Sequence, residues 1–155
     1  MSGPSPVAKM PTLSLEALDT LPDGDLVLFC AEDERPLQAA AGFVDWRLNG
    51  WLSRQVLSGK FAGKSGERLL TPGGGLLQSQ RIFVFGIGPT DQFHVQMAEN
   101  LGKEVGAALK AASSHKLIIG QPGTGEPDAW RALFQALRKT LDSVKMTTWG
   151  SWSNI

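Results

Sequence analysis

Three short, apolar segments constrain this sequence more than any other feature. They are Leu26–Cys30, Arg81–Phe85, which is apolar after its first residue, and Leu117–Ile119. Each segment is too short for a stable helix and none alternates polar with apolar residues, so each predicts a strand that is covered on both faces. The second and third segments precede glycine-containing turns and amphipathic stretches, an order typical of parallel strands joined by crossover helices.

Three longer segments carry apolar residues at every third or fourth position, which is the spacing of a helix with one buried face. The first runs from Pro36 to about Leu57, and a break is expected near Asn49–Gly50 because glycine weakens helices. The second covers residues 93–112 and is preceded by Thr90, a residue type that caps helices. The third opens at Pro127 and extends to about Leu141.

Weaker signals complete the predicted order of elements. Leu13 and Leu15 alternate with Ser14 and suggest a short first strand. Leu69–Leu70 and Leu76–Leu77 flank a proline- and glycine-rich turn, which predicts a hairpin. Val144–Trp149 is interpreted as a terminal strand.

These elements predict an α/β fold with three α/β/α layers and a mixed, largely parallel sheet. The chain has 155 residues, which suits one domain rather than two. Residues 13–150 are assigned to that domain. Residues 1–12, which hold three prolines, are expected to be a flexible lead-in, and residues 151–155 a tail.

The composition argues against several functional classes. Fifteen basic residues balance fifteen acidic ones, so nothing indicates a nucleic-acid surface. The apolar runs fall far short of the ~20 residues that span a membrane, so no membrane association is expected. Cys30 is the one cysteine, which excludes an intrachain disulfide. Without a recognisable secretory signal, the cytoplasm is the expected compartment.

Two glycine-bearing loops, 86–90 and 120–126, follow predicted strands at their carboxyl ends. Ligands of open α/β sheets bind at that edge, so one hypothesis is a shared pocket for a small molecule. The alternative is that the glycines only allow the chain to make tight turns. The candidate ligand-binding residues are Gly86, Gly88, Thr90, Gly120, Gly123, Thr124 and Gly125.

No motif predicts catalysis, a metal or a cofactor. The segment 59–65 ends like a phosphate-binding loop, but Ser58 replaces the glycine that such a loop needs. His94 and His115 lack neighbours at metal-ligand spacing and are interpreted as surface histidines. The charged run 32–35 is interpreted as a solvated loop, and Cys30 has no partner base.

Several aromatic residues fall off the main stripe of the first helix or lie near the carboxyl terminus. Burial on a second helix face is the simplest explanation, and a protein-docking surface is the alternative. The candidate interface residues are Phe43, Trp46, Trp51 and Trp149.

Three segments together resemble the amino-terminal domain of the leucyl aminopeptidase (cytosol aminopeptidase) family. They are Asp45–Leu52, with its Gly-x-Leu; Phe61–Glu67; and the strand and turn Arg81–Gly88. The sequence departs from the family pattern at Lys60, where aspartate is usual, and at Ile87, where leucine is usual.

The resemblance implies a macro-domain-like fold that contributes to assembly rather than to hydrolysis. The signatures of the family's separate two-metal catalytic domain do not occur in this sequence. We therefore expect a non-catalytic module that self-associates or binds another protein. The alternative is a binder or hydrolase of ADP-ribose-like nucleotides, for which Asp25 and Glu32 are nominal adenine contacts.

Overall fold

The structure, a computed structural model, describes residues 7–73, 77 and 81–152. The elements are β1 (Ala8–Met10), α1 (Leu15–Asp19), β2 (Asp25–Cys30), α2 (Ala39–Arg47), α3 (Trp51–Leu57), β3 (Arg68–Pro72), β4 (Arg81–Gly86), a 3-10 turn (Thr90–Gln92), α4 (Val95–Ala111), β5 (Lys116–Gly120), α5 (Pro127–Thr140) and β6 (Lys145–Trp149). None of the described helices is long and apolar enough to cross a membrane.

The strands form one six-stranded sheet in the order β1-β6-β5-β2-β4-β3. All neighbours are parallel except β3 and β4, which are antiparallel. The predicted mixed, largely parallel sheet is therefore confirmed. Every residue of β2 is buried. The continuously apolar run Leu26–Cys30 predicted this burial, whereas the burial of Asp25 was not predicted.

Helices cover the sheet on both faces and create two cores. Alternate residues of β2 divide between them, because successive strand side chains point to opposite faces. Val27 and Phe29 pack with α4 and α5, while Leu26 and Leu28 pack with α1, α2 and α3. The result is the expected α/β/α layering.

The amino-terminal predictions are wrong in two places. Ala8–Met10, assigned to a flexible lead-in, forms the edge strand β1 beside β6. Leu15 begins α1 rather than a strand, because the Ser14 side chain accepts a hydrogen bond from the Ala17 N–H (3.0 Å) and caps that helix. Residues 1–6 lie outside the described residues.

The first predicted long helix divides as expected at Asn49–Gly50, where both residues adopt positive φ. It begins at Ala39, however, rather than at Pro36. Leu69–Leu70 lie in β3 as predicted, but the antiparallel partner of β3 is β4 (Arg81–Gly86) rather than Leu76–Leu77. Leu77 is not part of a strand, and Leu76 lies outside the described residues. Trp152, assigned to the tail, packs into the α4–α5 core.

Two glycines allow α4 and α5 to approach closely. A Cβ on Gly102 would overlap the backbone oxygen of Leu133 and come within 2.9 Å of the Ala136 Cβ. A Cβ on Gly106 would come within 2.7 Å of the Thr140 side chain. The contact between these helices therefore depends on the absence of side chains at two positions one helical turn apart.

We predict that Gly102→Ala lowers the free energy of unfolding by about 1–3 kcal/mol, because the new methyl group meets a backbone atom that cannot rotate away. Urea unfolding measures the change. The control is Lys103→Ala, an exposed neighbour, which should change stability by less than about 0.5 kcal/mol. A stabilised Gly102→Ala variant, the outcome expected from helix propensity alone, would contradict this packing.

Candidate functional site

The carboxyl ends of β4, β2 and β5 lie side by side, with β2 in the middle. The two predicted glycine loops therefore lie on the same edge of the sheet, as expected for parallel strands. The loop that joins β2 to α2, residues 31–38, separates them. Any site at this edge is built from these three loops.

The loop after β4 is held by internal hydrogen bonds. The Gly86 N–H donates to the Glu67 backbone oxygen (2.8 Å), and the Gly88 N–H donates to the Gly63 oxygen (2.8 Å). The Gly88 oxygen accepts from the Glu32 N–H (3.0 Å). A Cβ on Gly86 would overlap the Lys64 backbone oxygen. These two glycines permit close backbone contact, and their amides are not free to bind a ligand.

The segment Phe61–Glu67, which resembles a phosphate-binding loop at its end, binds its own carboxylate. Glu67 Oε1 accepts hydrogen bonds from the N–H of Ala62 (3.1 Å) and of Lys64 (2.8 Å). Backbone amides of this kind would otherwise attract an anion. The glutamate of the motif occupies that position, so the segment is a closed loop that packs against the turn after β4.

Thr90 is bound to Asp33 rather than to α4. Asp33 Oδ1 accepts from the Thr90 N–H (3.0 Å) and from its hydroxyl (2.8 Å). These two hydrogen bonds hold the pKa of the Asp33 carboxyl below its usual value. The predicted capping role is therefore wrong. The N-cap position of α4 belongs to His94, whose side chain makes no capping hydrogen bond.

Glu34 is a buried carboxylate that the sequence interpretation missed. It was placed in a solvated charge run, yet it is 3% exposed. Its Oε2 accepts from the Gln38 N–H (2.9 Å) and its Oε1 faces the Thr124 hydroxyl (3.4 Å). Burial raises its pKa above the usual carboxyl value. Glu34 thus fastens the loop after β5 to the loop after β2.

The loop after β5 borders an open cleft of about 240 Å³. Gly123, Thr124 and Gly125 line it, together with the indole rings of Trp130 and Trp152. The Trp130 Nε1–H donates to the Thr124 oxygen (2.7 Å), which fixes the loop against α5. Gly120 is buried and does not line the cleft: a Cβ there would meet Ala40 and Leu28.

The structure thus brings together only part of the predicted ligand-binding set. Gly123, Thr124 and Gly125 line one cleft, whereas Gly86 and Gly88 are packed into a neighbouring loop. The N–H groups of the three cleft residues make no hydrogen bond to another described residue.

The two nominal adenine contacts lie apart. Asp25 is at the amino end of β2, on the opposite edge from the glycine loops. It is buried and binds Arg81 at 2.6 Å and the Ser114 hydroxyl at 2.6 Å. The suggestion that Asp25 contacts a ligand at the carboxyl edge is therefore wrong. Glu32 is at the carboxyl edge and partly exposed.

The aromatic residues predicted to form an interface differ in how far their side chains are buried. Trp149 is fully buried and its Nε1–H donates to the Thr12 oxygen (3.0 Å), so the interface prediction is wrong for this residue. Phe43 packs beside it at 6.5 Å between ring centroids, and Trp51 is also partly buried against the same core. Trp46 is 72% exposed and remains available for contact.

The described residues give no support for nucleophilic catalysis or for metal binding. Burial raises the pKa of the Cys30 thiol to about 12, which keeps the sulfur protonated and unreactive. His94 and His115 are exposed, as expected. Among the described residues, no group of three or more histidine, cysteine or acidic side chains is arranged to hold a metal ion.

The raised pKa of Glu34 predicts a pH-dependent stability. Because folding favours the protonated form, the contribution of Glu34 to stability is fully present below the ordinary carboxyl pKa and is lost as pH rises through the folded-state pKa. We expect Glu34→Gln, which stays neutral, to become more stable relative to the wild type between about pH 4 and pH 7. Urea unfolding at several pH values measures this difference. The matched control is Glu99→Gln, a half-exposed carboxylate on α4 that pairs with Lys103. Parallel curves for both variants would contradict the assignment.

Comparisons with known proteins agree with this fold. The model of the cytosol aminopeptidase family, N-terminal domain, matches residues 27–143. A mutant of tomato leucine aminopeptidase superposes with a TM-score of 0.64 at 16% identity, covering 99% of this chain and 34% of that chain. A search of curated proteins finds no match.

Macrodomains are also similar in structure. The macrodomain of Thermus aquaticus DarG gives a TM-score of 0.61 at 15% identity and covers 94% of this chain and 98% of its own. A mutant Oceanobacillus iheyensis macrodomain gives 0.61 at 12% identity, with coverages of 92% and 83%. At such low identities these neighbours establish the macro-like fold alone. The family match spans most of the sequence, and the chain belongs to the cytosol aminopeptidase family as a member of its N-terminal domain group.

Proposed function

We propose that this chain is a non-catalytic interaction module that self-associates or binds another protein. The observation that carries the proposal is the exposure of large apolar side chains on the surface of the domain. Trp46 is 72% exposed, Leu57 85% and Leu70 56%. Exposed tryptophan is enriched at sites where proteins dock.

The internal bonding of the carboxyl edge supports a non-catalytic role. Gly86 and Gly88 donate to backbone oxygens, and Glu67 accepts from the amides of its own loop. Asp33 binds Thr90. An active site requires an acid, base or nucleophile that can reach a substrate, whereas the Glu67 carboxylate is bound to amides of its own loop.

Sedimentation velocity tests the self-association part of the proposal. We expect the pure protein to sediment above its 16.6 kDa monomer mass as concentration rises. Co-purification from the source cell tests binding to a different protein. A strict monomer at every concentration, together with no co-purifying protein, would refute the proposal. We also expect no hydrolysis of a leucine amide when divalent metal is added.

A second candidate function is binding of an ADP-ribose-like nucleotide in the cleft beside α5. It is favoured by the N–H groups of Gly123, Thr124 and Gly125, which make no hydrogen bond to another described residue. These groups lie beside a helix amino terminus and two indole rings. Such amides suit phosphate oxygens. The macro-like fold adds support by analogy.

Calorimetry with ADP-ribose tests this alternative. We expect Ser151→Trp, which places an indole at the rim of the cleft, to abolish any binding that the wild type shows. Ser58→Trp, an exposed serine at the end of α3, is the matched control and should bind like the wild type. If calorimetry detects no heat of binding when ADP-ribose is added to the wild type, the nucleotide-binding function is refuted.

A further inference from the structure

The loop after β5, residues 121–125, is fixed at its first residue and packs closely against the start of α2. The Gln121 N–H donates to the Trp149 oxygen (2.8 Å), and the Gln121 oxygen accepts from the Ala40 N–H (3.2 Å). Further along, a Cβ on Gly123 would come within 2.6 Å of the Gln38 Cβ. The N–H of Gln38 is the group that the buried Glu34 carboxylate binds.

Beyond Gln121, Thr124 carries the hydrogen bonds that join this loop to other described residues. Its oxygen accepts from the Trp130 Nε1–H (2.7 Å), and its hydroxyl lies 3.4 Å from Glu34 Oε1. The second distance is long for a hydroxyl donor, so this contact is the weaker of the two. The loop therefore covers the Glu34 carboxyl without binding it strongly.

The loop that carries Glu34, residues 31–38, is held more firmly. The Glu32 N–H donates to the Gly88 oxygen (3.0 Å). The Arg35 guanidinium donates to the oxygen of Ala62 (3.0 Å), which lies in a different loop. If the two loops separate, the loop after β5 is consequently the one that moves, because fewer hydrogen bonds oppose its movement.

Few charges compensate an ionised Glu34. Arg35 is the charged neighbour that favours the carboxylate, and its guanidinium also serves backbone oxygens. At the end of β2 the titratable neighbour is Cys30, whose thiol is neutral. Residues 121–125 and residues 39–41 contain no titratable side chain. Burial therefore raises the pKa of Glu34, and an ionised carboxylate here is stabilised when water reaches it.

We propose that Glu34 is a pH-sensitive latch: ionisation of its carboxyl loosens the loop after β5 and opens the cleft that this loop borders, and protonation closes the loop again. The neutral carboxyl fits its buried position beneath Thr124. The ionised carboxylate gains hydration when Thr124 moves away. This device belongs to the loop itself and goes beyond both functions proposed above, because it holds whatever the cleft binds.

Hydrogen exchange of the Trp130 indole N–H tests the latch, because this group is protected while it is bonded to the Thr124 oxygen. The indole of Trp46, which is 72% exposed, supplies the unprotected rate in the same sample. We expect the ratio of the Trp130 rate to the Trp46 rate to rise by about threefold or more between about pH 4 and pH 7 in the wild type. The ratio should stay constant in Glu34→Gln, which remains neutral. Glu32→Gln, which changes a partly exposed carboxylate of the same loop, is the matched control and should behave like the wild type.

Urea distinguishes opening of the loop from unfolding of the whole domain. Opening of a short loop exposes little surface, so low concentrations of urea should leave the Trp130 exchange rate nearly unchanged. The backbone N–H groups of β2, a strand paired on both sides, should exchange faster as urea is added. Circular dichroism establishes that each variant is folded. Glu34→Met, which is also neutral and of similar length, replaces Glu34→Gln if that variant does not fold.

The outcomes decide the inference without reference to any ligand or to self-association. A Trp130 ratio that rises with pH in the wild type and in Glu32→Gln, but not in the neutral Glu34 variant, supports the latch when the Trp130 rate is insensitive to urea. A ratio that is flat in the wild type, or that rises equally in the neutral variant, overturns it. Trp130 exchange that accelerates with urea in parallel with β2 also overturns it, because the opening is then global.

Discussion

Burial of the central strands on both faces is the constraint on which the rest of this structure depends. β2 is covered by helices on either side, so each side chain from Leu26 to Cys30 enters one of two cores. A strand in this position has no solvated face on which to carry polar chemistry. The chemistry of the molecule is therefore confined to the strand ends, the sheet edges and the outer faces of the helices.

At the carboxyl ends of the strands, the chain satisfies most of its polar groups internally. The Phe61–Glu67 segment folds around the carboxylate of Glu67 and packs against the turn that contains Gly86 and Gly88. The residues that carry much of the family resemblance thus have a structural role, because they hold two neighbouring loops together by hydrogen bonds. Beside them, the cleft bordered by Gly123–Gly125 has two indole rings and backbone amides that bind no other residue in the described part of the chain.

The periphery carries the apolar surface that remains. Trp46 and Leu57 project from the α2–α3 side, and Leu70 lies on the edge strand β3. These side chains therefore lie on separate elements of the fold.

The sequence by itself determined the strands and amphipathic helices of the second half, because a buried strand must be apolar throughout and a half-buried helix must be apolar at every third or fourth residue. It also indicated the break at Asn49–Gly50, since glycine weakens a helix, and both residues adopt positive φ there. The placement of two glycine loops on one sheet edge followed from strand direction.

Only the tertiary structure decided where individual polar and aromatic side chains point. Glu34 looked solvated because its neighbours are charged, yet contacts with Gln38 and Thr124 bury it. Trp149 looked like a contact residue, yet the sheet carries it into the core. Hydrogen bonds between residues distant in the chain, such as Thr90 with Asp33, override local capping preference. The spacing of apolar residues along the chain predicts which helices and strands form. Contacts between residues that are distant in the sequence decide which polar and aromatic side chains are buried.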